Sequence, residues 1–331
     1  MDVATLRRRD LFRWAGAAGL ALMPGAGAIA SAPRGDAPKR PEPAKFARFK
    51  VGSIDGVILS DGAAAIAPIQ PTMAPTASAE ELQKALDFAF HPRDHATLEF
   101  NAAVLTIGPD VVLVDTGTGA PEAPLGALRA NLAAAGLRPE DVTAVVITHA
   151  HTDHIGGLVL PDGSLAFPKA KVLISKTEHD FWTSSPSLSA SRLPEESKKE
   201  MTAAIQKGLA AVKSKLEFIA PGAKTFPGVE ILDTNGHTPG HLSLMISNGA
   251  DQLCLLADVA HNHVVMFANP AWTIAFDTDP ALAAAARAKV FDRLAADRTR
   301  VLAYHLPWPG LGHIRRHGAG YEWIMQPWGD A

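Results

Sequence analysis

The chain has 331 residues, 47% hydrophobic and 20% charged, with a formal net charge of -3 and a single cysteine. This is the composition of an ordinary globular protein with room for one large domain or two, and it excludes an internal disulfide framework. The mildly acidic balance argues against a nucleic-acid substrate, since phosphate backbones are held by clustered Lys and Arg.

Residues 1–30 read as an export signal rather than as part of the fold. Leu6 to Arg13 contains an arginine run before Asp10-Leu-Phe, Trp14 to Ile29 is small and apolar, and Ala28-Ile-Ala30 fits a small-x-small cleavage site. The arrangement resembles a twin-arginine signal. The run contains Pro24 and falls short of ~20 strongly apolar residues, so cleavage is expected rather than a stable membrane anchor. The expected location is therefore the periplasm or the exterior. Four Arg and two Asp give residues 1–30 a charge of +2, which leaves -5 for the remainder. Residues 31–45 hold four prolines and little apolar content, as a linker does, so the catalytic domain is expected at 46–331.

Two short strands are expected between Phe46 and Gly62, turning at Asp55-Gly56. Ala79 to Phe90 suits a helix with Ser78 as N-cap. Thr97–Ile107 and Val111–Val114 read as strands around Gly108-Pro-Asp110, and Asp115 ends the second. A helix from about Pro121 would carry Leu125, Leu128 and Leu132 on one face and stop at Gly136.

The chain then reaches Ala144-Val-Val-Ile-Thr-His-Ala-His-Thr-Asp-His-Ile-Gly-Gly157. Its opening is a buried strand. His149, His151, Asp153 and His154 follow within six residues, and such a polar group at a buried strand end is costly unless something pairs it. Neutral imidazole and carboxylate are good ligands for zinc-like ions. His149 and His151 are two apart and face the same way on extended chain. Asp153 and His154 lie past the strand, where they can serve a second ion.

Beyond this stretch, Lys171–Ser175 is a strand, Glu178 to Trp182 starts a helix, and Pro194–Leu216 is amphipathic, with Met201, Ile205, Leu209, Val212 and Leu216 near helical spacing. That stripe suits core packing, with a possible pocket-covering role. Val229–Leu232 is a strand leading to His237. Leu242–Ser247 and Gln252–Ala257 flank Asn248-Gly249, a strong hairpin signal. Asp279-Pro280 opens a helix with Leu282, Ala286, Val290 and Leu294 inward. Arg300–Tyr304 is a strand ending at His305. The order strand-Asp115, helix, strand-His149 matches strand-Asp258, helix, strand-His305. Two similar β-rich units with helices outside make an α/β, αββα sandwich.

Five motifs carry a family resemblance: Val111-Val-Leu-Val-Asp-Thr-Gly117, His149-x-His-x-Asp-His154, Gly236-His-Thr-Pro-Gly-His241, Leu255-Leu-Ala-Asp258 and Ala303-Tyr-His305. Together they resemble the metallo-β-lactamase superfamily from about Phe46 onward. That resemblance implies two divalent ions, zinc by default, with manganese, cobalt or iron also suited. His149, His151 and His237 would hold one ion; Asp153, His154 and His305 the other; Asp258 would bridge them. Asp115 would orient a ligand histidine and His241 would support its loop. A metal-bridging hydroxide would then cleave an ester-type bond, with Asp153, Asp258 and His261 in the catalytic machinery.

Asp258 in place of a cysteine, and the presence of His154, point away from penicillin hydrolysis and toward lactonase and phosphotriesterase branches. Asp180-Phe-Trp182 and Leu306–Ile314 resemble the methyl parathion hydrolase group, which implies a small-molecule substrate, a homodimer, and Trp182 against the substrate. His261 stands where the similar acyl-homoserine lactonases carry a tyrosine and the methyl parathion hydrolase group an apolar residue, and is expected against the substrate as an aid to the leaving group. Pro121 and Glu200-Met201 stand where that group has other aromatic wall residues. A lactonase of the quorum-quenching type, a redox member of the superfamily and a non-catalytic metal-binding protein are the alternatives. The full set of seven ligands disfavours the last.

Overall fold

A computed structural model describes residues 44–119 and 124–327. The export signal and most of the linker lie outside the described residues. Lys45 opens the compact unit rather than closing the linker: its N–H donates to Asn131 Oδ1 at 2.9 Å and its ammonium pairs with Glu99 at 2.7 Å.

Strands β1 (Phe46–Val51) and β2 (Ile54–Ile66) lead to helix α1 (Ala79–Phe88). Then come β3 (Ala96–Ile107), β4 (Asp110–Val114), α2 (Leu128–Ala134), β5 (Ala144–Val146) and α3 (Thr152–Ile155). Next are β6 (Lys171–Ser175), α4 (Lys176–Thr183), α5 (Glu195–Ala211) and β7 (Leu216–Ile219). The second half runs β8 (Val229–Asp233), β9 (Leu242–Asn248), β10 (Asp251–Ala257), α6 (Val265–Ala268), α7 (Pro280–Asp297), β11 (Arg300–Ala303), β12 (Leu311–His317) and β13 (Gly320–Met325). The first seven strands form one sheet in chain order, and the other six form a second, ordered β13-β12-β11-β10-β9-β8. Both sheets are mixed: β4, β5, β6 and β7 run parallel, as do β10 and β11.

Side-chain alternation along these strands assembles the layers. Val112, Val114 and Val146 of one sheet and Leu253, Leu255 and Leu302 of the other share the core between the sheets. Their neighbours Leu113, Val145, Cys254, Leu256 and Val301 point the other way, into the core under the helices. The result is the expected αββα sandwich, in which two parallel strand–helix–strand units direct their C-terminal ends to one edge. Among the described residues, no helix is long and apolar enough to cross a membrane.

Four local expectations are corrected. The first hairpin turns at Gly52-Ser53, because Val51 pairs with Ile54 and Gly52 has φ 57°. Gly56 instead lies beneath Phe49, where an added Cβ would come within 2.2 Å of the ring. The second hairpin turns at Gly249-Ala250, since Asn248 still pairs with Asp251. Helix α2 begins at Leu128, whose N–H is capped from another strand by Asp61 Oδ1 at 2.9 Å, while Leu125 bridges to Gly62; Pro121 lies outside the described residues. Leu282 is exposed on α7, whose inward face is Ala283, Arg287, Val290, Phe291 and Leu294.

Candidate metal centre

The C-terminal ends of β5, β10 and β11 and the loop before β9 converge at one edge of the sandwich, where open α/β sheets place their chemistry. Two groups of potential ligands meet there: His149, His151, His237 and Asp258, and Asp153, His154, Asp258 and His305. Within each group the ligand atoms lie within 4.8 Å of one another. These are the seven residues implied by the family resemblance, with Asp258 common to both sets.

The hydrogen bonds behind the rings fix which nitrogens face inward. His237 Nδ1–H donates to Asp277 Oδ1 at 2.7 Å, and His154 Nδ1–H donates to Asp115 Oδ2 at 2.8 Å. His305 Nδ1–H donates to the Glu99 carbonyl at 2.9 Å. Thr148 Oγ1 gives its proton to Asp115 Oδ2 at 2.8 Å, so it accepts from His149 Nδ1 at 3.2 Å. The opposite nitrogens of these four rings therefore face the centre, as outer-shell partners arrange for metal-bound imidazole. His149 Nε2 and His237 Nε2 lie 3.0 and 2.9 Å from His151 Nδ1.

This donor set fits cations. His154 Nε2 and Asp258 Oδ1 are buried without a hydrogen-bond partner, yet they face each other at 3.3 Å. His305 Nε2 lies 3.2 Å from Asp258 Oδ2 and 3.4 Å from Asp153 Oδ2. Burial holds His149 and His237 well below the ordinary imidazole range, and His151 down to about 3. Burial opposes charge on His305 as well, but Asp258 and Asp153 push it up to about 9. His154 is likewise raised, against burial, by Asp258, Asp153 and Asp115. The carboxylate-rich set thus demands positive charge, which protons or divalent ions can supply, while the three-imidazole set presents neutral lone pairs.

His261 joins the cluster: its Nε2 lies 3.1 Å from Asp258 Oδ2, and its ring stacks on His305 with centroids 5.2 Å apart. Asp153 is the ligand most open to solvent, its side chain 25% exposed, and so marks the approach to the site. His241 has the supporting place expected of it. Its Nε2 accepts the Asp258 backbone N–H at 3.1 Å, which leaves Nδ1–H to donate to Thr234.

The expectation that Trp182 lines the substrate pocket is corrected. Its side chain is completely buried, and its Nε1–H donates to Glu178 Oε1 at 2.7 Å. Among the described residues, Phe276 is an aromatic ring that is both partly exposed and beside the ligands, 6.1 Å from His151. Sequence reasoning also missed Asp277, Glu178 and Tyr304, whose hydroxyl donates to the Asp153 carbonyl at 2.7 Å. Tyr304 sits beside His305 in a quoted motif, but Asp277 and Glu178 carry no local pattern that links them to the ligands.

Fold and site define a metallo-β-lactamase sandwich with ligands for two ions. A model of the metallo-beta-lactamase superfamily matches residues 101–305, and the chain belongs to that superfamily. Among solved structures it is similar to AidC, a dizinc quorum-quenching lactonase in complex with a product, at 33% identity and a TM-score of 0.82, covering 86% of this chain and 98% of that one. It is also similar to the hydrolase AbOPH of the beta-lactamase superfamily, at 28% identity and a TM-score of 0.78, covering 87% of this chain and 100% of that one. An N-acyl homoserine lactonase of Bacillus cereus is 30% identical over 154 residues, 46% of this chain and 52% of that protein. The chain thus matches about half the length of this curated relative. Two of these three relatives are lactonases, and the comparisons do not show the finer resemblance to the methyl parathion hydrolase group.

Proposed function

We propose that the protein is a dinuclear metal-dependent hydrolase of ester-type bonds, with lactones as its main substrate class and zinc as its native ion. The observation that carries the reading is the sharing of Asp258 by two sets of inward-facing ligands. Likeness to a dizinc lactonase over nearly its whole length supports both the substrate class and the ion.

His149, His151 and His237 would hold one ion and Asp153, His154 and His305 the other, with Asp258 serving both. When bound, two such ions supply Lewis acidity and an activated water at neutral pH. The chain's own residues do the remainder. Asp115 and Asp277 keep the His154 and His237 lone pairs turned inward. Phe276 offers an apolar face beside His151, suited to an acyl or aryl group. Asp153, at the opening, is the ligand carboxylate nearest an entering substrate, its side chain 25% exposed. His261 places Nε2 3.1 Å from Asp258 Oδ2, where its ring N–H can donate a hydrogen bond to the oxyanion that develops on the leaving oxygen.

Phosphotriesters form the second substrate class, favoured by the motif resemblance at Asp180-Phe-Trp182 and Leu306–Ile314. We also carry homodimerisation and export to the periplasm or beyond as parts of this reading. The decisive assay takes a purified sample with its metal quantified and tests lactones, aryl esters and phosphotriesters before and after chelation. Turnover of lactones that disappears with the metal is expected. Turnover that survives complete removal of both ions, or no turnover of any ester, would overturn the proposal.

A further inference from the structure

We infer that Glu178 is a positioning residue whose single carboxylate sets the distance between the His149–His151 loop and the His237 loop, and with it the three-imidazole half of the site. The inference rests on the two-ion reading above. The two loops belong to different sheets: one follows β5, the other precedes β9. Glu178 lies between them in the first turn of α4, where Ser175 caps the helix, and its side chain is completely buried.

Each carboxylate oxygen serves a different loop. Oε1 accepts the N–H of Ala150, the residue between His149 and His151, at 2.9 Å. Oε2 accepts the N–H of Gly240, three residues past His237, also at 2.9 Å. Trp182 Nε1–H adds a third donor at 2.7 Å and holds the carboxylate in its rotamer. The approach is close on the backbone side too: a Cβ on Gly240 would fall 2.3 Å from Glu178 N and 2.6 Å from Glu178 Cβ. Other contacts join these segments too, the Leu242 N–H to the Thr148 carbonyl at 2.9 Å and the ring contact of His237 Nε2 with His151 Nδ1 at 2.9 Å, and the Glu178 carboxylate is the side chain that holds both loop backbones.

The chemistry requires a carboxylate rather than an amide. All three of these partners are N–H donors, so an ionised Glu178 satisfies them and is satisfied by them, and charge-assisted bonds of this kind are the stronger ones. Glutamine has nearly the same shape, but its NH2 would have to face a backbone N–H or the indole N–H. One contact would turn repulsive, and the two loops could shift relative to each other. A shift in loop spacing changes the separation of the His149, His151 and His237 lone pairs, whereas Asp153, His154 and His305 take no bond from Glu178. Trp182, fully buried with its ring 5.8 Å from His151, thereby acts on the metal site through Glu178 rather than on a substrate.

The test compares wild type, Glu178→Gln and Trp182→Phe as full-length proteins reconstituted with cobalt(II). It reads stoichiometry, affinity by chelator competition, and the visible absorption spectrum. Outer-shell partners of metal ligands contribute roughly 10–100-fold in affinity. The expected result is two ions in wild type and, in Glu178→Gln, one ion weakened by about that factor with an altered spectrum, the other ion unchanged. Trp182→Phe keeps a six-membered aromatic ring but loses the pyrrole part with its N–H donor, so the same ion should weaken by ~10-fold, the low end of that range. If Glu178→Gln does not fold, Trp182→Phe decides alone: unchanged affinity and spectrum overturn the inference. Wild type holding fewer than two ions would instead sink the two-ion reading. Two ions in every variant, with wild-type affinity and spectrum, would sink only the role of Glu178.

Discussion

Asp115 holds His154 from behind, with Oδ2 2.8 Å from Nδ1, so that Nε2 is presented to Asp258 Oδ1 at 3.3 Å. The same carboxylate takes the Thr148 N–H at 2.9 Å and the Thr148 hydroxyl at 2.8 Å. Asp115 adopts a left-handed backbone, φ 61°, at the end of β4, and Ala257 does the same, φ 51°, at the end of β10. The left-handed region costs an L-residue roughly 1–2 kcal/mol. The matching placement lets each parallel unit turn sharply into the site, with Asp115 supporting a ligand in one half and Asp258 serving as one in the other.

Replacing Asp115 with Asn should therefore weaken the site without abolishing the fold. All its side-chain partners are donors, and an amide would set NH2 against one of them. The expected loss is ~10–100-fold in affinity for the ion of the Asp153–His154–His305 set. Chelator competition on the folded variant measures it, and wild-type affinity would show that His154 needs no such support.

The ligands were legible because H-x-H-x-D-H compresses four of them into six residues, and because Asp258 and His305 end strands with an apolar signature. The αββα layering was legible from the repeated strand–helix–strand order. What was hidden depends on contacts distant in sequence. Glu178 lies 62 positions from Gly240, and Asp277 lies 40 from His237, with no periodicity joining them. Trp182 was misplaced because a motif fixes a position in the chain but not the direction of a side chain. Leu282 was misassigned because its 3.6-residue stripe ignores Arg287, a buried cation satisfied by the carbonyls of Val259, Pro270 and Trp272.

Asp258→Ala should remove both ions and activity together, since its Oδ1 lies 3.3 Å from His154 and its Oδ2 3.5 Å from His237. Elemental analysis of the variant checks this. Retention of either ion at wild-type occupancy would show that the two sets are independent.

The metal-free protein should be most stable near pH 6.5, the ordinary imidazole value. His305 keeps its proton up to about 9 in the fold, so its stabilising contribution is complete below 6.5 and is lost as pH rises toward 9. His151 and His241, held down to about 3 chiefly by burial, act in the opposite sense: below 6.5 the unfolded chain takes up protons that the fold refuses, and stability falls. Thermal melts of chelated protein from pH 5 to pH 9.5 check the bell shape. Zinc should raise the alkaline limb most, because there it replaces protons on His154 and His305. A metal-free Tm that climbs steadily to pH 9 would contradict the argument.

Export should depend on the arginine pair. Lysine preserves the charge but not the guanidinium fork. Arg8→Lys combined with Arg9→Lys is expected to leave the folded protein in the cytoplasm, as read by fractionation. Normal export of the double variant would assign the N-terminal segment to another route.

His261 offers the sharpest test of the chemistry. Its Nε2 lies 3.1 Å from Asp258 Oδ2, its ring stacks on His305, and its Nδ1 is buried without a hydrogen-bond partner. The proton on Nε2 therefore points at the shared ligand, beside which an alkoxide would leave. Proton assistance contributes typically ~10²–10⁴ in rate, and the contribution grows as the leaving group worsens. A lactone expels an alkoxide that needs the proton, whereas a nitrophenolate departs unaided. His261→Phe should consequently lower kcat on a lactone by ~10²-fold or more, in keeping with that range, and leave a nitrophenyl ester nearly unchanged. Metal content must be measured on the same sample, because the ring also packs against His305. A selective fall on the lactone with both ions in place identifies His261 as the hydrogen-bond donor to the leaving oxygen. Equal losses on both substrates, or none on either, reduce it to a lining residue.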